Sequence, residues 1–167
     1  QSHFAGIPVK QIDSIFGFVE ASPLYSGRPY LSRQLSEQDL EAMQKKGIGL
    51  RLPFTNHQIS RDEYESGKPL LEKYHLQGNS VICTSDFLAD RIRRDFPLYR
   101  IEASILKEID SHKKIDKAMD LYDTVILPMN LNARSTFLKE VEKKERITLF
   151  GNAGCALTCP KRICYAH

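Results

Sequence analysis

The sequence predicts an α/β chain built from parallel β/α units: a partial, incomplete TIM-type (β/α) barrel of about six strands. Three observations predict it. Apolar β-like runs alternate with amphipathic helical runs along the 167 residues. From residue 80 onward the strand candidates start about 19–25 residues apart, which is room for a strand, a helix and two short loops joined by right-handed crossovers. The runs SVIC (80–83), TVIL (124–127) and ITLF (147–150) are almost wholly apolar, as strands covered on both faces require. An open doubly wound sheet shares these marks, but no glycine-rich phosphate fingerprint follows any strand.

Each element has its own signal. SIFGFVEAS (14–22) is the first strand candidate, and a polar loop, PLYSGRPYLSRQL, follows it. SEQDLEAMQKKG reads as a helix with Ser36 as N-cap and Gly47 just past its end. IGLRLPFTN (48–56) is the second strand. The helix after it opens on a capping box of Ser60 and Glu63 and is expected to break or restart at Gly67 and Pro69. NSVICTS (79–85) is a third strand, and DFLADRIRRDF a helix that ends before Pro97. YRIEASIL (99–106) alternates like a strand. SHKKIDKAMDLY places Ile115, Ala118, Met119 and Tyr122 at helical spacing. DTVILPMN is the fifth strand, ARSTFLKEVEKK a helix expected to be capped by Asn132, and RITLFGN the sixth strand. The whole chain, 1–167, is read as one domain.

Composition narrows the class. With 41% hydrophobic residues the chain can bury a core of its own. No apolar run approaches the roughly 18–20 residues of a membrane span. The opening QSHFAGIPVKQID has no apolar h-region, so no signal peptide is expected. The net charge is +3, and its basic residues are dispersed in KKGIGLR, RIRRDF, SHKKIDK and VEKKER. They read as solvated helix faces rather than a nucleic-acid stripe. Four cysteines in a chain expected to be cytoplasmic read as thiols or metal ligands rather than disulfides.

In either architecture ligands gather at the C-terminal ends of parallel strands. Residues expected there are Glu20 and Ser22, Asn56 and His57, Thr84 to Asp86, Glu102 and Ser104, Asn130 and Asn132, and Asn152. Ser85 with Asp86, and Asn132, are most simply helix caps. Glu20 and Glu102 each interrupt an apolar strand, and a charge there needs a partner or a job. Arg51 and Arg100 are the candidate partners. The catalytic candidates are therefore Glu102, His57 and Glu20, with Asn56, Asn130 and Asn152 as substrate-binding candidates.

The strongest chemical signal is GNAGCALTCPKRIC, with spacing Cys155-x3-Cys159-x4-Cys164. Three thiolates so close together make a soft-ligand nest. Structural zinc favours matched C-x2-C knuckles, and none is present, so an iron–sulfur cluster is preferred and zinc is the alternative. Cys83 lies within the third strand and is expected to be an ordinary buried thiol. The fourth ligand stays open: His167 or a residue from a further C-terminal region would serve.

TVILPMNLN followed by ITLFGNAGCALTCPKRICYAH resembles the TIM-barrel-like, collagenase-like peptidase family that also contains RNA and ubiquinone hydroxylation proteins. The matching residues are Asn152, Gly154, Cys155, Cys159 and Pro160, with Cys164 added or displaced. The likeness covers roughly residues 80–167. It implies a [4Fe–4S] cluster held by cysteines near the barrel mouth. It also implies oxygen-independent, prephenate-dependent hydroxylation in some members and peptidase activity in others.

Three functional classes follow. The first is an iron–sulfur barrel carrying out a redox or hydroxylation step on a small molecule or RNA base. The second is a hydrolase with Glu102 or His57 as general base and a divalent metal, although no H-E-x-x-H or G-x-S-x-G occurs. The third is a non-catalytic ligand-binding module in which the metal is a staple. Open sheet edges make a homodimer an expected partner, and no membrane is expected.

Overall fold

The computed structural model describes residues 8–25 and 34–151. Six short strands form one parallel sheet in sequential order: β1 (Ser14–Phe16), β2 (Gly49–Phe54), β3 (Ser80–Cys83), β4 (Arg100–Ala103), β5 (Thr124–Leu127) and β6 (Ile147–Leu149). Five helices alternate with them: α1 (Glu37–Lys45), α2 (Arg61–Lys73), α3 (Asp86–Asp95), α4 (His112–Met119) and α5 (Ser135–Glu140). Sequential parallel order with a crossover between neighbours is barrel connectivity and not the doubled-back order of an open sheet. The sheet is curled. The lead-in to β1 (Asp13) and β6 (Thr148) line one and the same concavity, whereas in a flat sheet five strand spacings, roughly 24 Å, would separate those edges. The result is a half-barrel with helices on its outer face.

Local chemistry sets the helix starts. Ser36 accepts the Asp39 N–H while Asp39 accepts the Ser36 N–H, and Ser60 and Glu63 repeat the same reciprocal pair at α2. Gly47, at φ 68°, ends α1 in the left-handed region, where a side chain would be strained. The expected break in α2 does not occur: the helix runs from Arg61 to Lys73 with Pro69 inside it. Pro69 faces solvent, where water can take up the carbonyl it frees. Gly67 is buried against Leu24, which leaves no room for a Cβ. So both breakers fit positions that the tertiary packing created.

Other elements are shorter than expected. β1 stops at Phe16, and Val19 to Tyr25 fold over the sheet, burying Val19, Leu24 and Tyr25. The fifth helix is only Ser135–Glu140, and its N-cap position is Arg134, without a side-chain cap bond. Asn132 instead donates from its amide to the Phe150 carbonyl at 3.1 Å, tying the loop after β5 to the end of β6.

Alternation along the strands separates two faces. Leu52 and Phe54, Val81 and Cys83, Ile101 and Ala103, and Val125 and Leu127 pack with the helices into the main core. Their neighbours Arg51, Ser80, Arg100, Glu102, Thr124 and Thr148 turn to the concave face, the lumen of the half-barrel. Among the described residues no helix is long and apolar enough to cross a membrane.

Candidate functional site

The C-terminal rim of the sheet gathers most of the candidate residues, but the structure divides them. Three have side chains with no hydrogen-bond or ionic partner among the described residues: His57, exposed in the loop between β2 and α2, Asn130, exposed in the turn after β5, and Thr84, whose hydroxyl is buried just past β3. The others are engaged. Asn56 donates to the Pro23 carbonyl at 2.9 Å and accepts from the Gln58 N–H at 3.1 Å, so its amide pins the Pro23 segment to the end of β2. Ser85 caps α3, and Ser104 caps the short turn Ile105–Lys107. Glu20 lies in the loop after β1, and its carboxylate accepts from Lys73 of α2 at 3.1 Å. That pair is largely exposed and carries little energy.

Glu102 has the most enclosed charge of the set. Its side chain is 7% exposed, and the Arg51 guanidinium grips it with two donors: Nε reaches Oε1 at 2.7 Å, and Nη2 takes Oε2. The Ser80 hydroxyl adds a third bond to Oε1 at 2.8 Å. Strand register explains the meeting. Arg51 pairs with Ser80, and Ile82, two residues on, pairs with Glu102, so the three side chains share the lumen face on adjacent strands. Arg51 is the partner the sequence suggested; Arg100, the other suggestion, makes no ion pair among the described residues. A carboxylate gripped this way keeps its place, and to act as a base it would first have to leave Arg51.

A second network lies at the rim and was not foreseen. Lys107 donates to Asp86 at 2.7 Å and to the Thr84 carbonyl at 3.0 Å, and Tyr122 donates to the same Asp86 carboxylate at 2.6 Å. Burial pushes the Asp86 carboxyl up, but the bonds from Lys107 and Tyr122 and the lysine charge outweigh it and hold the acid below its usual range. The Tyr122 phenol is driven up, first by burial and then by that bond. The network locks the loop after β4 to the start of α3. Its sequence signal was faint: one lysine four residues past the end of β4 and one tyrosine three residues past the end of α4. Ser80 and Thr124 were also missed, although each is a polar residue opening an otherwise apolar strand.

Cys83 is the ordinary buried thiol that was expected, fully enclosed and pushed up by burial. Cys155, Cys159, Cys164 and Asn152 lie outside the described residues. Among the described residues, no group of three or more His, Cys, Asp or Glu side chains could hold a metal ion.

No protein-family model matches the chain. No curated protein matches it either. Among solved structures it resembles the U32 peptidase Mk0906, with a TM-score of 0.59 at 15% sequence identity. The match covers 88% of this chain and 62% of that one. A likeness at that identity is one of fold: a β/α half-barrel of the kind found in a U32 peptidase.

Proposed function

We propose that this chain is the β/α-barrel part of an iron–sulfur protein, in which Cys155, Cys159 and Cys164 hold a [4Fe–4S] cluster beside the C-terminal rim. The cluster supplies electron-transfer chemistry for a redox or hydroxylation step on a small molecule or an RNA base. One observation carries the reading. β6 ends at Leu149 on the C-terminal side of a parallel half-barrel, and the chain passes from there straight into the cysteine segment. That is the end where barrels of this connectivity collect their chemistry. His57 and Asn130, with side chains unspent on the same rim, are the residues proposed to meet substrate, with Asn152 beside the cysteines. Zinc in the same thiolate nest is the alternative occupant. Thiolate ligation of this kind suits a reducing compartment, in line with a cytoplasmic location.

Anaerobic reconstitution with iron and sulfide tests it. The protein is expected to turn brown and to show visible charge-transfer absorption, and Cys155→Ala and Cys159→Ala are expected to abolish it. A colourless wild-type protein after reconstitution overturns the reading.

The likeness to a U32 peptidase favours a second reading, a peptidase-like hydrolase. In it His57 is the free general base, and Glu102 organises the lumen through Arg51. Peptide turnover that needs no iron–sulfur cluster and is lost in His57→Ala would support this reading against the first.

A further inference from the structure

The end of the half-barrel opposite the rim holds a cavity to which neither reading assigns a ligand. It has a volume of about 680 Å³ and opens at the N-terminal ends of the strands. Residues from all six strands or their lead-ins reach it, among them Ser14, Arg51, Ser80, Arg100, Thr124 and Thr148.

Its charge is specific in kind. Arg51, Ser80 and Arg100 occupy one hydrogen-bonded row across β2, β3 and β4. The two arginines therefore flank the serine on the lumen face, with backbones roughly 10 Å apart. Glu102 neutralises only Arg51 and uses its Nε and Nη2, leaving Nη1. Arg100 has no carboxylate within ion-pair distance among the described residues. The cavity also contains an unsatisfied group: Thr124 is 2% exposed, and its hydroxyl has no hydrogen-bond partner among the described residues. An unpaired buried hydroxyl costs stability that a ligand seated against that floor can recover. The cavity's other carboxylates, Asp13 and Glu145, are exposed on the two edge sides and form no ion pair with either arginine.

We propose that this N-terminal mouth is a binding site for a small oxyanion, a carboxylate or a phosphate group, held between Arg100 and the free edge of Arg51. Planar guanidinium forks match the oxygens of either group, and a concave low-dielectric wall strengthens the attraction. The site is separate from the C-terminal rim, so it would serve as an effector or accessory anion site on the barrel floor. It does not depend on what the cysteines bind.

The test is thermal unfolding of the whole protein titrated with inorganic phosphate, and separately with acetate, at ionic strength held constant with chloride. A ligand that binds only the folded state raises the midpoint in a saturable way. At least one of the two ions is expected to do so in the wild type. Arg100→Gln is expected to remove the response, Arg100→Lys to restore part of it, and Lys46→Gln, an exposed helix-end control, to leave it intact. A response to phosphate alone assigns a phosphate ligand, one to acetate alone a carboxylate, and one to both an oxyanion of either kind. Arg100 faces solvent, so the variants should fold, and their own midpoints without ligand check this. Absence of a saturable response to both ions, or an equal response in Arg100→Gln, overturns the proposal.

Discussion

The two ends of this half-barrel are built on different principles. At the N-terminal end the lumen face carries a bonded cluster: Arg51 clasps Glu102, Ser80 supports the carboxylate, and the turn before β3 approaches β2 so closely that a Cβ on Gly49 would collide with the Gly78 carbonyl oxygen. At the C-terminal rim, turns and caps absorb Asn56, Ser85 and Ser104, while His57 and Asn130 project unspent. Among the described residues, one end uses an ion pair to hold its strands together and keeps Arg100 and the Thr124 hydroxyl unpaired beside it, while the other leaves His57 and Asn130 projecting free. That asymmetry is the usual division of labour in β/α barrels, with stability below and chemistry above.

The contrast predicts a graded series of effects. Glu102→Ala should cost about 3 kcal/mol, because it leaves the Arg51 guanidinium, 22% exposed, without its carboxylate. Replacing both together, as Arg51→Met with Glu102→Leu, should cost much less, since no uncompensated charge is left behind. Urea denaturation measures both, and equal losses would deny the pair its structural role. Gly49→Ala should fall in the same class, about 3 kcal/mol, because its new methyl meets backbone and not a movable side chain. Ser80→Ala, which removes one bond to Glu102, should cost about 1.5 kcal/mol.

Acid should loosen the rim. Asp86 is held below its usual range by Lys107 and Tyr122, so its contribution is complete above the unfolded carboxylate range, about pH 4. The contribution is lost as pH falls through the lower folded value. Asp86→Asn should therefore flatten the acid limb of a stability–pH curve and leave its shape above neutrality unchanged. The smallest effects belong to the residues with nothing to hold. His57→Ala and Asn130→Ala should shift stability by no more than about 0.5 kcal/mol while altering turnover or ligand affinity. A large stability loss at either would erase the distinction between the two ends.

The parallel β/α order could be read from sequence because strand runs such as SVIC and TVIL are buried on both faces, and such burial leaves a continuous apolar mark. The capping boxes at Ser36 and Ser60 were equally visible, because a cap is a local bond between residues three apart. What could not be read was set by distant partners. Pro69 inside α2 looked like a break, and only packing of Leu24 against Gly67 together with solvent beside Pro69 shows why the helix continues. Glu20 and Glu102 looked alike as charges interrupting strands. Curling of the sheet gives Glu102 an arginine in the lumen, and the early end of β1 gives Glu20 a surface lysine. The Lys107–Asp86–Tyr122 cluster joins residues up to 36 positions apart, and no local pattern announces it.

The measurement that tests the central claim most directly is the iron, acid-labile sulfide and zinc content of the protein purified anaerobically. The account predicts iron and sulfide in near-equal amounts, lost together when Cys155, Cys159 and Cys164 are replaced by alanine. Protein with neither iron nor sulfide would contradict it, and stoichiometric zinc in their place would turn the thiolate nest from a redox centre into a structural one.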